Sequence, residues 1–380
     1  MRPENYKPVY HPPSHEYELY FGPNHPGIEG NYALRVLLKG DEVLSVRADG
    51  GYLHRGFEKL MEERLWIQNV ALVPRICVPD PVPMEETYAR SVETLGGLEV
   101  PERAQWIRVM MLEISRICAH LFTFGGHAAT LGLYSNMFWG VADRDRFLDI
   151  FEMLTGGRIY HMFITPGGVR RDIPEGLLER LSQNLDYLEA RLPEFDDLFF
   201  DNAVFINRSQ GVGRMNQEQA LAWGVTGPNL RACGLPFDVR RDDPYLVYEQ
   251  LDFDIPVEKE GDAFARALVR RAEVIQSIRI LRQIIERLPA VPGPIRCPVP
   301  NPLAWNVPAG EAYVRTESSK GELAFYAVST GGERPWRVHV RGPSSMHAVQ
   351  VLEKLCTGGR LEDVAQTMFS LDACPPEVDR

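Results

Sequence analysis

The sequence lacks any excess of positive charge: 41 lysines and arginines stand against 52 aspartates and glutamates, a formal charge of -11. A phosphate backbone needs a basic face, so the balance argues against nucleic acid as a main partner. Cysteine is sparse and scattered. Cys77, Cys118, Cys233, Cys297, Cys356 and Cys374 form no spaced framework, which argues against a disulfide-stapled fold and for a reducing compartment. The opening residues, MRPENYKPVYHPP, show neither a basic start nor an apolar stretch, so they read as an extended, Pro-rich arm rather than a secretory leader. Only Ala119 to Ala142 runs long without Asp, Glu, Lys or Arg, and it holds His120, His127, Asn136 and four glycines. A bilayer core tolerates that mixture poorly. A buried segment interrupted by a turn at Gly125-Gly126 is expected instead, with any membrane link made through partners. Internal repeats and low-complexity tracts are also missing.

What is present fits a packed globular chain: 44% hydrophobic and 24% charged residues. The pattern predicts an α+β fold, mainly α, with a central helical bundle and small peripheral β-sheets drawn from both ends of the chain. Residues 1–380 read as one domain. It comprises an arm and a His/Glu loop over 1–30, a β-hairpin over 31–50, a helical core over 51–288, and a Pro-rich loop, strands and closing motif over 289–380. Alternation over Tyr32 to Val46 predicts the hairpin. Helices are predicted over Pro101 to Phe124, Arg144 to Leu154, Pro174 to Phe200 and Ala263 to Leu288 from their 3.6-residue apolar period. GEAYVRTES, GELAFYAVST and PWRVHVRGP read as three strands, followed by helices at Met346 to Leu355 and Leu361 to Phe369.

Two short segments stand out for their chemistry. PRICVPD places Asp80 three residues after Cys77, and SLDACPPE places Glu377 three residues after Cys374. An i, i+3 spacing puts both side chains on one side of a turn, as a metal clamp would require. Either pair alone also reads as an ordinary buried cysteine. In FGPNHPGIEG, Gly and Pro stiffen a loop that carries His25 and Glu29, two groups able to move protons. GYLHRGFEKLMEER reads as a charged helix start. TPGGVRRD, preceded by His161, reads as a surface loop or a contact for a bound group, and RTESSKGE as a polar hairpin.

Taken in order, GPNHPGIEG, GYLHRGFEKL, LEVPERAQ, ITPGGVRRDIP, QGVGRM, TGPNLRACGLPFDVRRDDPY, TESSKGELAFY and SLDACPPEVDR span almost the whole chain. Together they resemble the D subunit of NADH-quinone oxidoreductase (complex I), a family homologous to the large subunit of [NiFe] hydrogenases. The resemblance implies an electron-transfer subunit on the cytoplasmic face of a membrane, without a transmembrane segment of its own, in an ion-pumping complex. It implies a B-like iron–sulfur partner carrying a [4Fe-4S] cluster, a C-like partner, an H-like membrane partner at the arm junction, and electron transfer to quinone.

The resemblance breaks at the residues that define each parent's chemistry. In the hydrogenases two Cys-x-x-Cys pairs hold nickel and iron. Here Cys77 and Cys374 match the first members, while Asp80 and Glu377 replace the second. Carboxylates are harder ligands than thiolates, which argues against a NiFe centre. In complex I a tyrosine and a histidine contact the quinone head group; Val78 and Glu29 stand at those positions. Lys320 stands where both relatives place an arginine. The resemblance therefore also implies an intermediate type, such as the membrane-bound sulfane-sulfur reductases. The expected reactive set is Cys77, Cys374, Glu29, His25, Asp80 and Glu377. Arg75, Val78, Thr130, His161 and Lys320 are expected to contact a bound group, and no resident metal is expected. Three functions stay open: quinone reduction, sulfane-sulfur reduction at the two cysteines, and non-catalytic coupling.

Overall fold

The computed structural model describes residues 15–25 and 28–380. Of the arm and His/Glu loop expected over 1–30, residues 1–14 and 26–27 lie outside them. About half of the described residues are helical, and three small antiparallel sheets accompany the helices.

The first sheet orders β1 (Tyr17–Phe21), β2 (Ala33–Lys39) and β3 (Glu42–Asp49) side by side. The hairpin β2–β3 is the one expected; β1 is not. The sequence reads there as an arm, but Tyr17 to Phe21 pair with Leu38 to Leu34. Helix α1 (Phe57–Glu63) follows, then α2 (Pro81–Gly96), α3 (Glu102–Ala129) and α4 (Tyr134–Thr155). Pro81 and Pro83 fall in the first turn of α2, where a missing N–H costs nothing.

Helix α3 runs straight through Gly125-Gly126, contrary to the turn expected there. These glycines serve close packing. A side chain at Gly140 of α4 would meet the Leu121 carbonyl at 2.5 Å, and one at Gly125 the Met137 carbonyl at 3.1 Å. Backbone lies on backbone where α3 and α4 cross. Helix α4 ends at Gly156, whose φ of 86° is the left-handed cap that glycine favours.

The two-residue strands β4 (Ile164–Thr165) and β5 (Gly168–Val169) make a minimal hairpin, and α5 (Leu177–Phe195) follows. Helices α6 to α9 are short (Ala203–Ser209, Gln217–Ala222, Pro228–Arg231, Val239–Asp242), and α10 (Ala263–Arg287) is long. The last sheet orders β6 (Gly310–Ser318), β7 (Gly321–Ser329) and β8 (Arg337–Arg341). The chain closes with α11 (Pro343–Ser345), a π-helical turn Met346–Val351, α12 (Leu352–Cys356), α13 (Leu361–Leu371) and α14 (Pro375–Asp379).

Three apolar cores organise these elements. The main one joins α3, α4, α5 and α10 through Ile107, Met110, Phe147, Leu185 and Leu281. A second packs the first sheet on α12 and α13 through Leu34, Val36, Leu352 and Met368. The third packs α1 and α2 on the last sheet, and both Cys77 and Cys374 belong to it. No helix among the described residues is long and apolar enough to cross a membrane.

Candidate functional site

Cys77 leaves a 3₁₀ turn just before α2, and Cys374 caps the start of α14. The fold brings these distant segments together. The two sulfurs and a Glu377 carboxylate oxygen all lie within 4.8 Å of one another. Cys77, Cys374 and Glu377 are 1%, 3% and 1% exposed. Glu377 is held in place by local structure. Its Oε1 accepts from the Ser344 N–H at 2.8 Å, while Ser344 Oγ accepts from the Cys374 N–H at 3.0 Å. Gly342 leaves the room for this, since a side chain there would collide with the Glu377 carboxylate.

Spacing predicted that both carboxylates would join their cysteines. Glu377 does and Asp80 does not. The Asp80 carboxylate turns toward α3 and the β6–β7 turn, accepting from Ser115 Oγ at 2.6 Å and the Ser319 N–H at 2.8 Å. It ties helix to sheet. The cluster is therefore two thiols and one carboxylate. With two thiolate donors too few and a hard oxygen in place of one, it does not fit a NiFe centre.

A cavity of about 410 Å³ opens beside Cys374. Ile28, Val78, Phe122 and Phe369 make its apolar wall, and Glu29, Lys320 and Asp372 bring charge to it. Lys320, 1% exposed, donates to Asp372 Oδ1 at 2.6 Å. Despite burial, the anionic partner and the nearby thiols hold the Lys320 ammonium above its usual range. Burial pushes Glu29 well above the carboxylate range, and its Oε2 has no hydrogen-bond partner among the described residues. Burial likewise raises the Cys77 thiol, reinforced by Cys374. It also raises Glu377, whose Ser344 hydrogen bond works the other way.

The remaining expected residues are spread around this centre. His25 lies on an exposed turn, edge-on to the Phe21 ring at 4.8 Å. Arg75 stacks over Tyr160 at 5.1 Å. Thr130 ends α3 and donates to Gln366 at 2.7 Å. His161 stacks on Phe151 with ring centres 4.0 Å apart, and burial lowers it to about 4. None of these four lines the cavity. Sequence reasoning missed Tyr160, which is close enough to sense both thiols, and Asp372. Tyr160 and Asp372 both have left-handed backbone, with φ of 52° and 53°. A non-glycine residue in that region signals a conformation imposed by its surroundings, but no pattern in the sequence announces it.

Chemically, the arrangement offers two thiols within reach of each other, with a raised carboxyl beside them to accept or return a proton. The profile of the family described as respiratory-chain NADH dehydrogenase, 49 Kd subunit, matches residues 130–305 and 301–380. The D subunit of NADH-quinone oxidoreductase from Thermosipho melanesiensis is 49% identical, over 96% of this chain and 100% of that protein. The D subunit of F(420)H(2) dehydrogenase from Methanosarcina mazei is 38% identical, over 97% and 98%. Among solved structures, a chain of the membrane-bound sulfane sulfur reductase (MBS), an archaeal respiratory membrane complex, superposes with a TM-score of 0.94 at 47% identity. The match covers 98% of this chain and 100% of the other. These likenesses agree: the chain belongs to the family of the 49 kDa subunit of respiratory-chain NADH dehydrogenase.

Proposed function

We propose that this chain is the acceptor-reducing subunit of a membrane-associated, ion-translocating oxidoreductase complex, and that its cavity reduces sulfane sulfur at Cys77 and Cys374. The observation that carries the reading is the cluster: two sulfurs and a carboxylate within 4.8 Å, with Cys374 lining a cavity. Electrons come one at a time from a B-like iron–sulfur partner on the complex's cytoplasmic side. A C-like partner and an H-like membrane partner complete the assembly.

Cys374 lines the cavity and Cys77 does not, so Cys374 is the thiol that meets the substrate. Glu377, within 4.8 Å of both sulfurs, takes the thiol proton. The Cys374 thiolate attacks a sulfur of R–S–S–R′, forming Cys374–S–S–R and releasing R′–S⁻, which is protonated. Cys77 displaces R–S⁻ in the same way, leaving a Cys77–Cys374 disulfide. Two electrons from the partner and two protons restore both thiols. Burial keeps Cys77 protonated at rest, so its displacement step depends on Glu377 as base.

A second reading, quinone reduction, is favoured by the apolar wall of Ile28, Val78, Phe122 and Phe369. In that case Val78 and Glu29 would face the head group, and the thiols would be spectators. The test is Cys77→Ser with Cys374→Ser in the assembled complex, driven by a reduced viologen. Polysulfide turnover is expected to fall by roughly a hundred-fold or more, the scale of losing the nucleophile, with assembly intact. Unchanged polysulfide turnover would reject the thiol mechanism. Quinone turnover that survives the double substitution while polysulfide is never consumed would establish the second reading.

A further inference from the structure

Among the described residues, Cys77, Cys374 and Glu377 are the one set of three Cys, His, Asp or Glu side chains whose donor atoms converge, all within 4.8 Å of one another. Two of the donors are soft sulfurs and the third is a hard oxygen. That mixture suits neither a hard cation, which takes oxygen throughout, nor an iron–nickel pair, which needs more thiolates. It suits a divalent ion with a filled d shell, such as Zn²⁺ or Cd²⁺. Such an ion accepts thiolate and carboxylate together and has no geometric preference of its own from d electrons.

The distances are those of a site that needs little rearrangement. Around a tetrahedral zinc, sulfur sits about 2.3 Å and oxygen about 2.0–2.2 Å from the ion, which puts neighbouring ligand atoms about 3.6–3.8 Å apart. The three donors here have to draw in by about 1 Å at most. Local structure orients two of them. The Ser344 N–H donates to Glu377 Oε1 at 2.8 Å, and Ser344 Oγ accepts from the Cys374 N–H at 3.0 Å, so one residue sets both ligands. Three protein ligands leave a fourth position for water, the pattern of an open zinc site. Cys374 lines the cavity of about 410 Å³ while Cys77 and Glu377 do not, so the cavity is the side from which an ion arrives.

The charges agree with the distances. Two thiolates and a carboxylate around a divalent ion total one negative charge. Lys320, on the wall of the same cavity, shares the carboxylate of Asp372 with Arg270, at 2.6 and 3.7 Å. Two cations on one carboxylate leave one positive charge beside the loaded site. Buried charge is tolerated when it is matched in this way.

We propose that Cys77, Cys374 and Glu377 form a binding site for an exchangeable thiophilic divalent cation, Zn²⁺ above all, which silences the two thiols while it is bound. Each thiol gives its proton to solvent as it coordinates. The site exists only while both sulfurs are reduced, because a Cys77–Cys374 disulfide leaves no thiolate to bind the ion. Metal and substrate therefore compete for the same reduced pair. Binding itself does not depend on which acceptor the cavity reduces, since it uses only the convergence of the three donors.

The test uses the assembled complex, reduced with dithionite and desalted without air. Titration with Cd²⁺ should give the ultraviolet charge-transfer band of cadmium–thiolate bonds. The band of the unmodified complex should exceed that of Cys77→Ser with Cys374→Ser by one ion per chain. X-ray absorption at the zinc edge of the Zn²⁺-loaded complex should show two sulfurs at about 2.3 Å that the double variant lacks. Glu377→Gln keeps both sulfurs, and should weaken Cd²⁺ binding by at least the roughly ten- to hundred-fold that follows loss of a residue merely supporting a ligand. Cys297→Ser, at a cysteine outside the cluster, should leave the band intact. Zn²⁺ should suppress polysulfide turnover by roughly a hundred-fold, as losing the nucleophile does, and a chelator should restore it. Equal bands in the unmodified and doubly substituted complexes, or unchanged affinity in Glu377→Gln, overturns the site. Two-sulfur coordination in a complex that never consumes polysulfide sinks the proposed function and leaves the metal site standing. Polysulfide turnover lost in the double variant, with no thiolate band in the unmodified complex, sinks the metal site alone.

Discussion

At the scale of single residues, burial sets the chemistry of the acids. Glu85 is fully buried in α2, and its carboxylate receives the backbone N–H groups of Met162, Phe163 and Ile164 at 2.6, 2.9 and 3.1 Å. It thereby pins the segment that carries Tyr160. Burial outweighs these bonds and raises the carboxyl to about 7 from an ordinary 4.5. The folded state then keeps a proton that the unfolded chain releases. The resulting stability is complete below about pH 4.5 and is lost as pH rises toward 7. Urea unfolding should therefore show falling stability from pH 5 to 7.5. Glu85→Gln should flatten that slope while costing about 1–3 kcal/mol at pH 5, because an amide cannot satisfy three donors as well. At this scale the sequence was partly legible. The proximity of Cys374 and Glu377 was legible from their spacing, since a helical first turn converts i, i+3 into proximity. The same spacing misled at Asp80, whose partners Ser115 and Ser319 arrive from distant elements.

At the scale of elements, α3 shows how glycine can carry opposite meanings. Gly125-Gly126 read as a turn because glycine lowers helix propensity. In the fold Gly125 lets α4 lie against α3 at backbone distance, with Gly140 closest to the Leu121 carbonyl, while Gly126 makes room for the Phe369 ring of α13. Gly140→Ala should force the helices apart and destabilise the chain by about 1–3 kcal/mol, the cost of overpacking, measurable by thermal unfolding. The helices expected over Pro101 to Phe124 and Ala263 to Leu288 were legible from period, although α3 runs on past its glycines to Ala129, and the strands Gly310–Ser318 and Gly321–Ser329 were legible in GEAYVRTES and GELAFYAVST. Helix α2 and strand β1 were not. The first is masked by its leading prolines, and the second exists only because β2 is beside it.

At the scale of the molecule, α3, α10, α8, α9 and β6 meet around buried charge. Arg231 joins Glu273 at 2.7 Å, Glu317 at 2.8 Å and Asp238 at 3.3 Å, and Arg240 joins Asp238 and Glu113 at 2.7 and 3.1 Å. Every acid and base in this network is buried. RACGLPFDVRRDD looks like a solvated loop by composition, so the network was illegible before folding. Arg231→Met should cost about 3–5 kcal/mol by stranding its carboxylates, far more than a surface ion pair. The expected effect is incomplete assembly, read by size-exclusion chromatography of the complex.

The meeting of Cys77 with Cys374 also has a kinetic side. The two thiols come from opposite ends of the sequence, and contacts of such long separation form late because loop closure precedes them. The cysteine cluster therefore cannot exist in a half-folded chain. Both sulfurs, buried in the finished fold, would be open to alkylation until the final segment docks. Their protection is a clock for completion: a chain whose thiols have closed is one whose every layer is already in place for its partners.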